Sequence, residues 1–299
     1  MTRVGELGLT EVGAEAAGAL RQMLTRAVGG HPVATYVEAE PLTWKSLTSG
    51  GWDLLGAAES TGGAGASLRD LVEVARTWGW AIAPSPLIPT IMAKRWSAAA
   101  RDHVGPVTVS VQTRASGACG VVPFGADEDV RVLLVADEGD PRHELLEPAS
   151  DVALDPYAPS LRLAEWATVT SWSEATAREM GVVWAAEATG CGARMLHDAV
   201  AYAKQRHQFG QPIGRFQAVK HQLADAHLLA EQAETAVILA SLEPARAEAA
   251  SRFAFDASLR IAETAVQVHG GLGFTWEMGL HHYLRHVSCL RELATGLRS

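Results

Sequence analysis

The sequence has few cysteines, no run of basic residues and no long apolar segment. Its three cysteines, Cys119, Cys191 and Cys289, lie far apart and form no Cys-x-x-Cys pair, so we expect them to be reduced and structural. The net charge of −9, without a basic cluster, argues against a nucleic-acid partner or an anionic membrane surface. No apolar stretch approaches the roughly 18 residues of a membrane span. The first residues also lack the apolar core of a signal peptide, and together these absences indicate a cytoplasmic protein.

Three kinds of sequence follow one another along the 299 residues. Residues 1–103 are rich in alanine and leucine at helical spacing and predict a short helical domain. Residues 104–170 contain short apolar or alternating runs, such as Val130–Val135, and predict a small β domain. Residues 171–299 return to long helical periods and predict a four-helix bundle. The predicted fold class is therefore mainly α with a small β domain between two helical ones.

Two further boundaries follow from glycine and proline. The stretch Thr61–Gly65 is rich in glycine but lacks the lysine and the preceding strand of a phosphate loop, so it predicts a connecting turn. Proline at the start of a helix is tolerated, because its missing N–H would have no intrahelical partner. The helices of the bundle are predicted to run to Phe209, from Phe216 to about Leu242, from Pro244 to about His269, and from about Met278 onward.

Two segments of the predicted bundle carry groups that suit a diphosphate with an attached adenosine. Arg206 and Phe209 place a fixed cation and an aromatic ring at a helix end, where Gly210 and Pro212 stop the helix. Further along, Gln267–Phe274 sets a glutamine and bare amides beside a turn that three glycines allow to approach another molecule closely. Alone, Arg206 would be interpreted as a solvated arginine and Phe209 as a core aromatic, but their joint spacing favours a site.

Both segments resemble motifs of the acyl-CoA dehydrogenase family, Arg-x-x-Phe-Gly and Gln-x-x-Gly-Gly-x-Gly, and the intervening Phe216–Asp225 fits as well. The resemblance covers about residues 178 to 287. It implies the family's order of helical domain, β domain and four-helix bundle, and FAD as the cofactor. It also implies that these segments reach across a subunit interface to the pyrophosphate and adenosine of a partner's FAD. The residues that would contribute to this cofactor-binding wall are Arg206, Gln208, Phe209, Ile213, Phe216, Gln267, Val268, Gly270 and Gly271.

The family's flavin-ring loop, of Thr-Glu-Pro-x-x-Gly-Ser-Asp type, has no counterpart here. The corresponding region reads Val109–Arg114. We interpret Trp166, in Trp166-Ala167-Thr168, as core or interface packing rather than as the Trp-x-x-Thr segment that packs on the flavin. The half-site for the isoalloxazine is therefore expected to be degraded.

The catalytic base of the family is also missing from both of its usual places. A carboxylate must remove the proton α to the thioester carbonyl while a hydride leaves the β carbon, but the two corresponding positions are Ala294 and Met180. Glu179 is one residue away, and a one-residue step turns a side chain by about 100° around a helix, so we expect it to face away. Glu187 lies in an apolar stretch and predicts a buried carboxylate with a cationic partner. We assign no catalytic residue, and keep Glu179 and Glu187 as the candidates.

His282 and His286 are spaced i, i+4, which can bind metal. No third ligand is evident, so we predict interface or surface histidines and no metal site.

The resemblance as a whole implies one subunit of a heteromeric α2β2 dehydrogenase, similar to shortened actinobacterial subunits that act on CoA thioesters of steroid side chains. A full-length partner subunit would supply the base and the isoalloxazine pocket. The assembly would introduce an α,β double bond into an acyl-CoA and pass electrons to an electron-transfer flavoprotein. Two alternatives stay open: a self-sufficient homomeric dehydrogenase that uses Glu179 or Glu187, and a flavin-free structural protein on the same scaffold.

Overall fold

The computed structural model describes residues 7–29, 31–39, 41–113, 116, 119–127, 129–134, 144–147, 157–167 and 172–297, which form ten α-helices and eight short strands. The helices are α1 (Glu11–Val28), α2 (Val33–Tyr36), α3 (Trp44–Ser49), α4 (Leu68–Gly79), α5 (Leu87–Trp96), α6 (Ala98–Asp102), α7 (Glu174–Gln205), α8 (Gln217–Leu242), α9 (Ala247–His269) and α10 (Leu280–Gly296). The strands are β1 (Val107–Val109), β2 (Val111–Gln112), β3 (Gly120–Val122), β4 (Arg131–Leu134), β5 (Glu144–Leu146), β6 (Ala164–Trp166), β7 (His207–Gln208) and β8 (Gln211–Pro212). Among these residues, no helix has both the length and the apolar character needed to cross a bilayer.

Side-chain caps fix where the N-terminal helices begin. The Thr10 hydroxyl accepts the Gly13 N–H at the start of α1, and Ser67 and Asp70 form a capping box at the start of α4. The carboxylate of Asp70 also accepts the Thr10 N–H at 2.9 Å, so one side chain ties both helix starts together. Burial raises the pKa of Asp70, but the hydrogen bonds from Ser67 and Thr10 outweigh it and hold that pKa below its usual value.

The β region consists of two small sheets rather than one. In the first, β4 lies between β1, which it pairs in parallel, and β5, which it pairs antiparallel. In the second, β3 lies between β2 and β6 and is antiparallel to both. Short strands are found in the predicted β region, and the predicted run Val130–Val135 contains β4, although Val135 itself lies outside the described residues. The predicted domain boundary at 170 also lies outside them.

The four long helices α7 to α10 form the predicted bundle, and the fold class is confirmed. Helix α7 begins at the Ser173 N-cap and packs against both α9 and α8, and α10 packs against α7 and α9. One apolar core runs from α1 and α4 through α7 into α9 and α10, so the N-terminal helices and the bundle share it. The turn predicted at Thr61–Gly65 is found, with Gly62 in the left-handed region at φ 83°.

Helices α4 and α7 touch through two glycines. A Cβ at Gly79 would lie 1.9 Å from the Glu187 carbonyl oxygen, and one at Gly190 would lie 2.1 Å from the Arg76 carbonyl oxygen. Since no side chain fits in either gap, both positions require glycine for the helices to approach this closely. The contact brings the end of α4 against the middle of α7 and leaves little space between them.

Candidate functional site

The end of α7 presents an exposed cation and an exposed ring. Arg206 is the C-cap in an extended conformation, and its N–H donates to the Tyr202 carbonyl at 2.8 Å. The chain then turns back at once, because β7 and β8 form a hairpin whose two central residues, Phe209 and Gly210, have φ of 52° and 80°. Positive φ at both central positions is the pattern of a type I′ turn. This turn presents the Phe209 ring, which is 92% exposed.

The predicted helix through Phe209 is therefore wrong over its last residues, since α7 ends at Gln205. The hairpin provides hydrogen-bond partners for backbone groups that would have been paired within a longer helix. For example, the Ile213 N–H donates to the Arg206 carbonyl at 2.7 Å. The exposed ring also excludes the interpretation of Phe209 as a core aromatic. Its ring meets Phe216, the N-cap of α8, edge to face at a centroid distance of 6.1 Å.

The end of α9 is shaped by glycine. Gly270 caps the helix at φ 62° and ψ −140°, a conformation that only glycine adopts readily. The chain continues as a 3₁₀ turn over Gly270–Phe274. Apart from its neighbours in the chain, no described residue would lie within 4 Å of a Cβ at Gly271, so the backbone there is open to another molecule. Gln267 is exposed beside this turn, whereas Val268 is buried and supports it from within.

The structure brings these two segments together through a pair of rings. Tyr202, in the last turn of α7, stacks on His269, the last residue of α9, with centroids 4.4 Å apart and planes 27° apart. The imidazole is fixed in turn by a hydrogen bond between His269 Nδ1 and the Ala265 carbonyl at 2.7 Å. A cleft of about 380 Å³ lies beside the stack and is lined by both of these rings. Sequence reasoning did not identify this pair, because ring contacts between helices leave no motif.

The surface around the two segments is unusually apolar. Phe274 is 79% exposed, and Trp276 and Leu272 are also exposed, as is Phe209 on the hairpin. Exposed apolar side chains that cluster in this way mark surfaces that another molecule covers. The guanidinium of Arg206 is likewise exposed, and within the described part of the chain it forms no ion pair. Gln208 on β7 is exposed, and its amide donates to the His207 carbonyl.

Neither of the two positions at which the family carries its catalytic base holds a carboxylate in this chain. Met180 and Ala294 are buried in the core. Glu179 points to α5, where its carboxylate accepts from Arg95 Nε at 3.0 Å and from Trp96 Nε1 at 2.8 Å. A carboxylate held by two donors in this way serves as a structural partner, in agreement with the expectation that it faces away from the position of Met180.

Glu187 is buried in a hydrogen-bonded row of three side chains. Its carboxylate lies 2.9 Å from His286 Nε2, and His286 Nδ1 lies 2.8 Å from the Ser160 hydroxyl. The three side chains line a cavity of about 10 Å³, together with Trp78 and Trp184. Such a volume holds about one water molecule and excludes an acyl chain. The prediction of a buried carboxylate with a cationic partner agrees with this geometry, with histidine as that partner when it is protonated.

The prediction that His282 and His286 are interface or surface histidines is wrong, because both are buried, each about 1% exposed. His286 is oriented inward by Glu187 and Ser160. His282 packs between Trp276 and His281, and within the described residues neither of its ring nitrogens has a hydrogen-bond partner. Burial, together with the charges of His281 and Arg285, lowers the pKa of His282 to about 4. His282 and His286 lie on the face of α10 that packs on the core, so their i, i+4 spacing reflects the buried face of this helix.

The region that corresponds to the family's flavin-ring loop begins with buried residues that pack in the core. Val109, Ser110 and Val111 are fully buried, and Trp172 Nε1 donates to the Ser110 carbonyl at 3.2 Å. The end of α10 packs against β2, where a Cβ at Gly296 would lie 2.1 Å from the Gln112 carbonyl oxygen. Arg114 and Thr168 lie outside the described residues.

Trp166 and two of the cysteines are core residues. Trp166 is buried and donates from Nε1 to the Gly125 carbonyl at 3.1 Å, which confirms core packing. Cys119, Cys191 and Cys289 form no disulfide bond with one another; Cys191 and Cys289 are buried, and Cys119 is partly exposed. Burial, and then the charge of Glu187, raise the pKa of the Cys191 thiol well above its usual value, so the thiolate is disfavoured.

Comparison with known proteins identifies relatives over most of the chain. A family profile described as acyl-CoA dehydrogenase, C-terminal domain, matches residues 174–296. Acyl-CoA dehydrogenase IpdE2 of Mycobacterium tuberculosis is 33% identical, with 90% of this chain and 89% of that protein aligned. IpdE2 of Mycolicibacterium smegmatis is 31% identical over 83% of this chain and 82% of its own length. Acyl-CoA dehydrogenase FadE34 of M. tuberculosis is 35% identical, but the alignment covers only 40% of it.

Solved structures share the fold. A variant of the Tcur3481-Tcur3483 steroid ACAD aligns over 99% of this chain and 96% of its own, with a TM-score of 0.77 and 22% identity. The ChsE4-ChsE5 complex from M. tuberculosis aligns over 97% and 94%, with a TM-score of 0.73 and 21% identity. At this level of identity the likeness establishes the architecture, while the relation by sequence rests on the proteins above.

Proposed function

The chain belongs to the acyl-CoA dehydrogenase family, and we propose that it acts there as the non-catalytic subunit of a heteromeric enzyme. In this proposal it binds the diphosphate and adenosine of an FAD, and a longer partner subunit binds the isoalloxazine ring of the same FAD. The partner also supplies the carboxylate that removes the α proton. When bound, the FAD would accept the hydride that leaves the β carbon of the acyl-CoA.

One observation carries the proposal: among the described residues, neither of the two candidate glutamates is placed to act as a base on an acyl group. Met180 and Ala294 occupy the two expected base positions. Glu179 is held by Arg95 and Trp96, and Glu187 lies in a cavity of about 10 Å³. A general base must be able to reach the proton that it removes, within about 3 Å or through one water. Neither glutamate has such access to a substrate.

The proposed half-site on the opposite end of α7 has the chemistry of a diphosphate clamp. Arg206 offers a charge-assisted hydrogen bond to a phosphate oxygen. Gly271 leaves its Cβ position open, so that a ligand can approach the backbone closely. Phe209 on the hairpin and Phe274 after α9 provide exposed rings, which suit a purine or a partner's apolar surface. The remaining predicted contacts, Gln208, Ile213, Phe216, Gln267, Val268 and Gly270, lie on the hairpin, the start of α8 and the end of α9.

The proposed assembly is an α2β2 heterotetramer. In it, a full-length acyl-CoA dehydrogenase subunit covers the apolar surface around Phe209 and Phe274, and an electron-transfer flavoprotein takes the electrons. The proposed substrate is an acyl-CoA of the steroid side-chain type. Support for this class comes from the Tcur3481-Tcur3483 protein, a steroid ACAD that shares the fold of this chain.

The flavin-to-chain ratio tests the proposal. The tagged chain is isolated with its native partners, and visible absorbance and polypeptide mass are measured in the complex. We expect one flavin for every two chains and a second, longer polypeptide. A homomer with one flavin per chain would overturn the proposal, and a complex without any flavin would favour a structural protein on this scaffold.

A further inference from the structure

A basic segment without any acidic residue surrounds the hairpin at the end of α7. The chain as a whole has a net charge of −9, yet neither aspartate nor glutamate occurs between Asp198 and Asp225. The cations of this segment are Lys204, Arg206, Arg215 and Lys220. Arg206 is the proposed diphosphate contact, and we name the other three the basic strip.

The fold places the first two cations of the basic strip beside Arg206. Lys204 lies in the last turn of α7, two residues before Arg206. After the hairpin the chain returns to this helix end, where a Cβ at Gly214 would lie 2.9 Å from the Ala203 carbonyl oxygen. Arg215 directly follows this close contact. Both cations therefore lie at the end of α7 that carries Arg206.

The start of α8 adds the third cation, at a place where helix electrostatics disfavours one. The positive end of the helix dipole favours acidic residues in the first turn, and α1, α4, α7 and α9 each have one there. Helix α8 begins at Gln217 with neither an acidic first turn nor a side-chain cap, and its fourth residue is Lys220. The positive charges of Lys220 and of this helix end therefore add.

Among the described residues, no carboxylate neutralises the basic strip. All three of its side chains are exposed, and none of them takes part in an ion pair within the described part of the chain. Elsewhere, Arg76, Arg95 and Arg194 are each paired with a carboxylate. Like charges gathered in this way repel one another. An unneutralised cationic cluster on an acidic protein therefore indicates that its counterpart is an anion.

The diphosphate of the cofactor is the anion that suits this position. Arg206 offers it a direct charge-assisted hydrogen bond. Exposed charges farther from a bound ligand add little to its retention, because water and salt screen them. They do raise the rate at which an oppositely charged ligand arrives. The basic strip is thus placed to act on the approach of the diphosphate rather than on its final contacts.

We propose that the basic strip steers the diphosphate of FAD to Arg206 during association, whereas Arg206 holds the diphosphate once it is bound. This inference rests on the proposed function, because it takes FAD as the ligand of the half-site. It adds that the charges of Lys204, Arg215 and Lys220 set the rate of FAD uptake and its dependence on salt. An acidic surface of the partner subunit is the competing counterpart of the strip, and it predicts a different result.

The test measures FAD association with the flavin-depleted complex of this chain and its native partners. Flavin fluorescence is followed after rapid mixing at about 20 mM and about 500 mM NaCl, where the Debye lengths are roughly 20 and 4 Å. Arg215→Gln/Lys220→Gln removes two charges and leaves Lys204, which favours the C-terminal end of α7. We expect FAD uptake to be about five- to tenfold slower at the lower salt concentration, and within about twofold of the unchanged chain at the higher one. The rate of FAD release should change by less than about twofold.

Two further double variants serve as controls. Arg215→Lys/Lys220→Arg keeps both charges and should keep the rapid uptake of FAD. Arg26→Gln/Lys45→Gln removes two exposed charges on α1 and α3, and so lowers the net charge of the chain by the same amount. It should leave the association rate unchanged, because steering depends on charges near the half-site.

The outcomes separate this inference from the proposed function. Equal uptake rates in the unchanged chain and in Arg215→Gln/Lys220→Gln would overturn steering and leave the proposed function standing. So would a slower uptake that persists at the higher salt concentration, because a direct contact resists screening. A double variant that takes up FAD normally but copurifies with less partner would assign the strip to an acidic partner surface, and would also overturn steering. A complex that takes up no FAD would refute both the proposed function and this inference.

Discussion

The ring of Tyr202 stacks on the imidazole of His269 at 4.4 Å, and this contact joins the ends of α7 and α9. Arg206 follows one ring by four residues, and Gly270 follows the other by one. The Tyr202 carbonyl also accepts the N–H of Arg206, so the residue that stacks also fixes where the helix ends. The aromatic pair therefore joins the two segments of the proposed cofactor site at the ends of helices that also pack against each other in the core.

Removing the Tyr202–His269 contact should weaken the binding of FAD by the complex. Tyr202→Ala is expected to lower stability by about 0.5–1.5 kcal/mol for the lost ring contact, plus a contribution from the lost packing. It should also lower the flavin content of the complex. Tyr202→Phe keeps the ring and serves as the matched control, with flavin content and urea midpoint near those of the unchanged chain. Loss of flavin in Tyr202→Phe as well would point to the hydroxyl instead.

Arg206 provides the most direct test of the proposed diphosphate contact. Arg206→Ala should weaken flavin retention by roughly 10- to 150-fold, since a charge-assisted hydrogen bond contributes about 1.5–3 kcal/mol. Stability should hardly change, because the side chain is exposed. The measurement is flavin released on dilution of the purified complex, with Arg26→Ala on α1 as a control. Unchanged release in Arg206→Ala would favour a flavin-free scaffold.

How far the sequence predicts this structure depends on whether a feature is local. The bundle helices α8, α9 and α10 were predicted to within a few residues, because periodicity, Pro244 and the glycines at 270–273 act locally. The hairpin after Gln205 was not, since apolar and polar positions there continue the helical pattern while Phe209 adopts a positive φ. The burial of His286 was also missed, because its partners Ser160 and Glu187 lie far away in sequence.

Glu179 and Glu187 should not be required for turnover of acyl-CoA by the assembled enzyme. Glu179→Gln and Glu187→Gln, each in the assembled enzyme, are expected to keep the rate of dye reduction with acyl-CoA. Glu187→Ala removes the acceptor of a buried imidazole and should cost about 1–3 kcal/mol of stability, visible in thermal unfolding. If either glutamine variant lost turnover while keeping its unfolding temperature, that residue would be the base and the enzyme would be self-sufficient.

Glycine substitutions separate packing from ligand approach. Gly190→Ala should destabilise the chain severely, because its Cβ would lie 2.1 Å from the Arg76 carbonyl oxygen in the α4–α7 contact. Gly271→Ala should leave unfolding of the isolated chain nearly unchanged, since no described residue other than its chain neighbours lies within 4 Å of the new methyl group. It should nevertheless lower flavin content in the complex, where the cofactor is proposed to approach. Normal flavin content in Gly271→Ala would place the cofactor elsewhere.

His282 should make stability dependent on pH. Its folded pKa is about 4, below the unfolded value of about 6.5, so between these values the unfolded chain binds more protons. Stability should therefore rise from pH 4.5 to pH 7, and fall as pH is lowered, by up to about 3 kcal/mol. Asp70, whose folded pKa is also lowered, acts in the same direction but below about pH 4.

Urea midpoints at pH 4.5, 5.5 and 7 measure the effect of His282. His282→Phe cannot be protonated and fits an apolar site beside Trp276, so it should flatten the dependence over this window. His31→Asn on the surface should retain the full dependence and serves as the control. A slope that persists in His282→Phe would assign the effect to another group, with His281 and His103, whose pKa values burial also lowers, as the first to examine.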